Sequence, residues 1–181
     1  MSGLQPTDVT IRPWSDSDLA LLERLMGDPA MTVYIGGPET PEQIRKRHER
    51  YCKIEHTGKG RMFVILVGDG KVAAGSVGYW EIEWGEQLVW ETGWSVIPEF
   101  QGQGIAAKGT VAVVEQARAE RKHRFIHAFP SIENGASNGV CRKAGFTLQR
   151  EVEFEDRKVP GNFLRVNDWS LDLFADPSAT S

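Results

Sequence analysis

A glycine-rich segment between a strand and a helix constrains the fold of this chain more than any other feature. The segment VIPEFQGQGIAAKG, residues 96–109, has three glycines in its last eight residues, and the alanine-rich stretch that follows is typical of a helix. A strand-like run precedes the segment, and a second one, RFIHAFP, follows the helix. A strand, a helix and a strand in this order predict a crossover unit whose two flanking strands are parallel.

Runs of β-branched and aromatic residues predict further strands. Three such runs are RMFVILVG, KVAAGSVGYWEIEW and EQLVWETGWSVIP, and the short turn signals GDG and GE separate them. Runs joined in this way are typical of an antiparallel meander. We also expect a short strand at VTIRPW and two late strands, FTLQREVEFE and FLRVNDWSLDL, around the turn KVPGN.

Capping residues and apolar spacing predict about four helices. Their expected positions are a first helix capped by Ser15 or Asp16, a second from Pro41 to about Glu55, a third from about Gly104 to Arg121, and a fourth from about Ser137 to Ala144. Together the elements predict an α+β fold with a central mixed, mostly antiparallel sheet of about seven strands. We expect one domain, residues 1–175, and a disordered tail, residues 176–181.

Size and composition limit the class of function. The 181 residues are 40% hydrophobic, which is enough for one continuous core. A formal net charge of -4 disfavours a nucleic-acid binder that depends on phosphate contacts. The longest apolar run, MFVILV, is too short to span a membrane, and the N-terminus lacks the pattern of an export signal. We therefore expect a cytoplasmic protein without a membrane or nucleic-acid partner.

The cysteines and histidines do not predict a metal site. Cys52 and Cys141 lie far apart in the sequence and suggest neither a disulfide framework nor a zinc cage. His123 and His127 are four residues apart, but they lack the acid of the H-E-x-x-H motif and straddle the junction between a helix and a strand. No metal is expected.

The glycines before the third helix predict an anion site. A helix start presents amide N–H groups without partners and carries partial positive charge, so a phosphate can bind if the backbone can approach it closely. Gly102 and Gly104 remove the side chains that would obstruct this approach. The loop lacks the Lys-Ser/Thr ending of a P-loop and a strict G-x-G-x-x-G, which disfavours ATP and NAD. A glycine cluster required only for packing would give a similar pattern.

Four blocks of the sequence resemble one acetyltransferase superfamily. Gln101, Gly104 and Ala106 match the signature Q/R-x-x-G-x-G/A of the GNAT N-acetyltransferases. The block NGASNGVCRKAGF is similar to N-x-x-S-x-x-V-x-x-K-x-G-F of the RimJ/RimL branch, the ribosomal-protein N-terminal acetyltransferases and their relatives. The blocks DPAMTVYIGG and ETGWSVIPEF resemble two more blocks of that branch. All four occur in the same order as in the branch.

The resemblance implies the GNAT fold, in which acetyl-CoA lies in a wedge where two central parallel strands splay apart. Here these are the strand that ends at Val96 and the strand Arg124–Phe129. The loop after the first strand would hold the pyrophosphate through N–H groups, and the pantetheine arm would pair with the strand backbone, where one N–H can polarise the thioester carbonyl. The cofactor-binding residues that the resemblance implies are Trp94, Val96, Gln101, Gly102, Gln103, Gly104, Ile105, Ala106, Ala107 and Asn134.

The resemblance also implies direct transfer of the acetyl group to a primary amine in a ternary complex, which requires a base. Glu91, on the strand that leads to the thioester, is the first candidate, and a cross-strand ion pair is the structural alternative for this carboxylate. Asp156, on a late strand, is the second candidate. Glu155 stays open beside it, because a one-residue slip exchanges the two faces of a strand.

An acid is required for the departing thiolate. Many members of the superfamily place a tyrosine where this chain has Cys141, which we interpret as a small core residue. The resemblance instead assigns the role to Ser137, whose hydroxyl would bond the sulfur. The same serine is also expected to cap the fourth helix.

The acceptor is expected to be a cationic amine. The meander has three tryptophans and four glutamates within twelve residues, and such a set suits a cation through charge and cation-π contact. Plain alternation, which buries the tryptophans and exposes the glutamates, is the competing interpretation. The family acetylates protein N-termini, aminoglycosides, polyamines and amino acids, so the identity of the amine stays open.

Two classes of function follow. The first is an acetyl-CoA-dependent N-acetyltransferase. The second is a catalytically silent acyl-CoA-binding or interaction domain on the same fold, which the missing tyrosine would explain. A homodimer is common among relatives, and the sequence does not decide the oligomeric state.

Overall fold

The computed structural model describes residues 8–69, 71–156 and 160–176. Within these ranges the strands are β1 (Val9–Pro13), β2 (Gly60–Val67), β3 (Val72–Trp84), β4 (Gln87–Val96), β5 (Phe125–Ala128), β6 (Thr147–Glu155) and β7 (Phe163–Asp172). The helices are α1 (Leu19–Gly27), α2 (Pro41–Lys53), α3 (Ile105–Glu120) and α4 (Gly135–Lys143). Short 3-10 turns cover Asp16–Asp18, Ile54–Thr57 and Pro98–Phe100.

The strands form one seven-stranded sheet in the order β1-β2-β3-β4-β5-β7-β6. Neighbouring strands are antiparallel except β4 and β5, which are parallel. The parallel pair is short, because only Trp90 with Ile126 and Glu91 with His127 are in register. The predicted mixed sheet with one splayed parallel pair and four helices is confirmed.

The two faces of the sheet carry separate apolar clusters. Helix α3 packs on one face, where Tyr79, Trp90, Val113 and Ile126 are fully buried. Helices α1 and α2 pack over β2 and β3 on the other face, around residues such as Leu22. Each buried side chain of this size contributes about 1.5–3 kcal/mol of transfer free energy, so both clusters hold the sheet in place.

The predicted helix boundaries differ from the observed ones by a few residues. Gly104 precedes α3 and caps it, so α3 begins one residue later than expected. Helix α4 begins two residues earlier, because Asn134, a strong capping residue, accepts the N–H of Ser137 at 3.0 Å. The expected capping by Ser137 is therefore wrong. The predicted turn KVPGN lies in part, and the predicted tail almost wholly, outside the described residues.

No helix in the described ranges combines the length and the apolar character that crossing a membrane requires.

Candidate active site

A cavity lies where β4 and β5 separate. Beyond Glu91 the strand β4 stays paired with β3 as far as Val96, but residues 92–96 have no partner on β5. A cavity of about 580 Å³ opens there, between the end of β4, the loop before α3, the start of α4 and the segment after α1. We call it the wedge cavity. Nine of the ten implied cofactor residues line it, and Gln103 does not.

The loop at the start of α3 presents a run of backbone donors. The N–H of Gln101 donates to Pro98 and that of Lys108 donates to Gly104, but the six amides between them, residues 102–107, meet no acceptor in the described part of the chain. Gly102 and Gly104 have φ angles of 73° and 75°, a conformation that favours glycine. A Cβ on either would meet no protein atom within 4 Å. The loop therefore combines unpartnered N–H groups with open space, which suits a diphosphate.

The glutamine side chains of the loop shape it from within. The amide Nε2 of Gln101 donates to the carbonyl of Val96 at 2.9 Å and ties the loop to the end of β4. The Nε2 of Gln103 donates to the carbonyl of Glu99 at 3.1 Å. These contacts give both glutamines a role in holding the backbone amides in position.

The start of α4 forms the opposite wall of the wedge cavity. Ser137 lines the cavity, and its hydroxyl makes no hydrogen bond within the described ranges. Asn138 fixes this wall: its Nδ2 donates to the carbonyls of Ser131 and Asn134, and its Oδ1 accepts from Trp169 on β7 at 2.9 Å. The sequence analysis missed Asn138, whose only signal is a polar residue on the buried side of a short helix.

Glu91 lies at the closed end of the wedge. It belongs to the last residue pair that joins β4 to β5, and its Oε2 accepts from Trp80 Nε1 on β3 at 2.9 Å. By strand alternation its side chain points to the face opposite α3. Glu91 is half-buried, and it does not itself line the wedge cavity.

The late-strand carboxylates lie in the turn between β6 and β7. Asp156 Oδ2 accepts from Asn162 at 3.4 Å, and the Asp156 N–H donates to the Asn162 carbonyl at 2.7 Å. Glu155 Oε1 accepts from the N–H of Gly161 at 2.9 Å. Neither carboxylate lines the wedge cavity.

Cys141 belongs to the core. Its side chain is fully buried in the cluster under α3, and burial raises the pKa of its thiol to about 12. It does not line the wedge cavity, so it does not replace the tyrosine acid of other members of the superfamily. This agrees with the interpretation from sequence.

The glutamates and tryptophans of the meander are divided between the two faces. Trp80 and Glu91 lie together on one face. Glu81 points to the other, where Lys122 and His123 bond it at 2.8 and 2.7 Å and hold the pKa of its carboxyl below the usual range. The set therefore does not form one acidic patch, and alternation accounts for much of the pattern.

One His/Cys/Asp group of the described residues has metal-like spacing. Ligand atoms of Asp16, His48 and Cys52 lie within 4.8 Å of one another. However, Trp14 Nε1 donates to His48 Nδ1 at 3.1 Å, so a neutral imidazole carries its proton on Nε2, the nitrogen that faces Cys52. Burial, and then a hydrogen bond with Asp16, raise the pKa of the Cys52 thiol to about 11. Two of the three donors are thus protonated, which does not suit a metal ion.

The comparisons with known proteins agree with this geometry. Residues 8–147 match the family described as "Acetyltransferase (GNAT) domain". The chain therefore belongs to the GNAT acetyltransferase family, and the predicted class of enzyme, an acetyl-CoA-dependent N-acetyltransferase, is confirmed at the level of the family. No curated protein sequence gives a significant match.

Solved structures share the fold. A spermidine N-acetyltransferase from Vibrio cholerae, in complex with CoA and spermine, is 20% identical, with a TM-score of 0.74 over 91% of this chain and 95% of that one. RimL, a ribosomal α-N-protein acetyltransferase in complex with coenzyme A, is 22% identical, with a TM-score of 0.74 over 93% and 96%. An aminoglycoside acetyltransferase in complex with coenzyme A is 18% identical, with a TM-score of 0.72 over 91% and 95%.

The burial of Cys141 gives a direct test. Because the raised pKa leaves almost no thiolate at pH 8, iodoacetamide is expected to leave Cys141 unmodified in the folded protein and to alkylate it fully in denaturant. Mass spectrometry of the peptide that contains Cys141 measures both states. Rapid alkylation of the folded protein at this residue would show that the thiol is accessible and would contradict its interpretation as a core residue.

Proposed function

We propose that this protein transfers the acetyl group of acetyl-CoA to a primary amine by direct attack in a ternary complex. The observation that carries the proposal is the run of unpartnered amides, residues 102–107, at the mouth of the wedge cavity. Such a run at a helix start favours two linked phosphates, and the cavity leads from it to the point where β4 and β5 separate.

The rest of the wedge cavity suits the other parts of acetyl-CoA. The pantetheine arm has amide groups, and the edge of β4 from residue 92 to 96 offers backbone groups without a β5 partner. Asn134 has a side-chain nitrogen available beside the same edge, since only its oxygen caps α4. Trp94 and Val96 would place the thioester, with one N–H of this strand polarising its carbonyl.

The acetyl transfer then needs three events. The amine nitrogen attacks the thioester carbonyl carbon, a proton leaves the nitrogen, and the C–S bond breaks as the sulfur gains a proton. Ser137, with an unpartnered hydroxyl at the wall of the cavity, would hydrogen-bond the departing sulfur. Glu91, at the closed end of the wedge, would contact the amine. Asp156 has weaker support, because its carboxylate is engaged in the β6–β7 turn.

The acceptor is proposed to be a protein N-terminal α-amine or a cationic small-molecule amine. The sequence blocks shared with the RimJ/RimL branch favour the α-amine, and an α-amine, with an ordinary pKa near 7.7–8.0, loses its proton more readily than a lysine does. Solved neighbours include enzymes that act on a ribosomal protein and on spermidine. The carboxylate of Glu91 beside Trp80 suits either positive acceptor.

A silent acyl-CoA-binding domain is the second candidate. One observation favours it: the buried Cys141 stands where many members of the superfamily have the tyrosine that protonates the thiolate. Ser137 alone would then have to assist the departing sulfur. The two candidates share coenzyme binding and differ in turnover.

A thiol-release assay separates the two candidates. With acetyl-CoA and an amine, the enzyme is expected to liberate free CoA thiol at a rate above the amine-free control, with a panel of N-terminal peptides, polyamines and aminoglycosides as acceptors. Ser137→Ala is expected to lower kcat by roughly 10- to 100-fold with little change in coenzyme affinity, because it removes a donor used in the transition state. Tight CoA binding without thiol release for any amine would support the silent domain.

Coenzyme affinity tests the loop itself. The double variant Gly102→Ala/Gly104→Ala places two methyl groups in the open space above the amides and is expected to weaken CoA binding at least tenfold, about 1.4 kcal/mol, in calorimetry. Gly58→Ala/Gly68→Ala is the matched control, because both glycines also have positive φ and open surroundings but lie outside the wedge cavity. The control variant should bind CoA with a Kd within twofold of the wild-type value. Equal affinity of both double variants would contradict the proposal.

A further inference from the structure

A second cavity lies on the face of the sheet opposite α3. It measures about 450 Å³, and its walls come from the β3–β4 hairpin and from β5, β6 and β7. We call it the back cavity. The side chains that matter here are Trp84, Val89, His127, Arg150 and Asp168.

A buried histidine and a buried aspartate form a pair in the wall of the back cavity. His127 Nδ1 lies 2.7 Å from Asp168 Oδ1, and the two residues are only 8% and 3% exposed. Trp84 Nε1 donates to the other oxygen, Asp168 Oδ2, at 3.2 Å. A carboxylate in this position accepts a hydrogen bond from Nδ1–H, so the neutral ring carries its proton on Nδ1 and its Nε2 is a proton acceptor. Within the described residues the ring makes no second hydrogen bond.

The His127–Asp168 pair also lies beside the last residue pair that joins β4 to β5, where the wedge cavity closes. His127 is the β5 residue in register with Glu91, so both side chains point to the same face beside the last parallel residue pair. Along β4, Val89 lines the back cavity and Trp94 lines the wedge cavity, with Glu91 between them. His127 and Glu91 thus stand between the two cavities.

We propose that His127 is the catalytic base of the acetyl transfer and that the acceptor amine approaches through the back cavity. The inference rests on the proposed function and deepens it. The neutral amine nitrogen uses its lone pair to form the bond to the thioester carbonyl carbon, and His127 Nε2 takes the proton that this nitrogen then gives up. The C–S bond breaks with its electron pair on sulfur, which gains a proton, with Ser137 as its hydrogen-bond donor. Asp168 is a positioning residue, which fixes the tautomer of His127 and stabilises the imidazolium. Glu91 attracts the protonated form of the amine, which loses one proton to solvent before it attacks.

The chemistry of imidazole favours this division of roles. An efficient base has a pKa close to the working pH, and imidazole, ordinarily near 6.5, is closer to neutrality than a carboxylate, ordinarily near 4. The charged groups that face His127 are Asp168 from β7, Glu91 from β4 and Arg150 from β6; Arg150 lies with its guanidinium over the Trp84 ring at 5.8 Å. The walls of the back cavity therefore offer one carboxylate, Asp168, and one cation, Arg150, and Glu91 adds a second carboxylate beside the imidazole from outside these walls.

The pH dependence of kcat/KM tests the base. Protonation of the acceptor amine lowers kcat/KM at low pH in every variant, and the wild type is expected to show a second acid limb that belongs to the base. His127→Gln should lose that acid limb and lower kcat by roughly 10²- to 10³-fold, while CoA affinity stays within twofold. Asp168→Asn should lower kcat less than His127→Gln does and should shift the acid limb. The substitution removes the negative charge beside the imidazole and the carboxylate that fixes its tautomer, but it keeps the ring. Exogenous imidazole should partly restore the activity of His127→Ala, because the smaller alanine leaves space beside the back cavity for a free imidazole.

A buried histidine on the other face is the matched control. His123 is 9% exposed and bonds Glu81 at 2.7 Å, so His123→Gln removes a similar buried pair but should keep the acid limb. Retention of the limb in a folded His127→Gln, with kcat within threefold of wild type, would overturn the proposal, and so would the absence of rescue by imidazole.

A second readout separates this inference from the proposed function. In the CoA complex of the wild type, the side-chain NMR signals of His127 are expected to shift when spermine or a serine-terminal peptide is added, while those of His123 stay in place. A shift without thiol release would refute the proposed acetyl transfer but keep amine binding at His127. Thiol release without a shift would refute the role of His127 but keep the proposed function.

Discussion

The early end of the β4–β5 pairing is the constraint on which the candidate site depends. Two residue pairs join the strands, and then β4 continues along β3 while β5 ends at Ala128. The chain after β5 soon reaches Pro130, which cannot donate a ladder hydrogen bond. The backbone groups of β4 beyond Glu91 are consequently left facing a cavity, and an extended ligand can pair with them as a strand would.

Two helix starts converge on this opening. Helix α3 begins at Ile105 behind two glycines in the left-handed conformation, and α4 begins at Gly135 behind Asn134. Both present partial positive charge toward the wedge cavity, one where phosphates are proposed to bind and one where a thiolate is proposed to form. Asn138 links the second helix to β7, so the core also positions the wall of the site.

The elements of the fold could be predicted because their local signals agree with their tertiary environment. The runs of β-branched and aromatic residues form β2, β3 and β4, and the glycine loop lies between a strand and a helix as expected. The cap of α4 was misplaced because Asn134 and Ser137 are both good capping residues, and only the backbone geometry chooses between them.

The register and the long-range pairs could not be predicted. The sequence does not show that Glu81 pairs with Lys122 and His123, or that Glu91 lies in the last residue pair that joins β4 to β5. His127 and Asp168 are 41 residues apart, and their contact depends on how β5 pairs with β7. The shared sequence blocks predicted residues that line the wedge cavity, whereas the contact of His127 with Asp168 became visible only in the arrangement of the sheet.

A crystal structure of the protein with bound coenzyme A tests the central claim most directly. The pyrophosphate is expected within hydrogen-bond distance of several N–H groups of residues 102–107, with the pantetheine arm along the free edge of β4. Coenzyme density elsewhere on the molecule, with these amides unoccupied, would contradict the assignment of the wedge as the acetyl-CoA site.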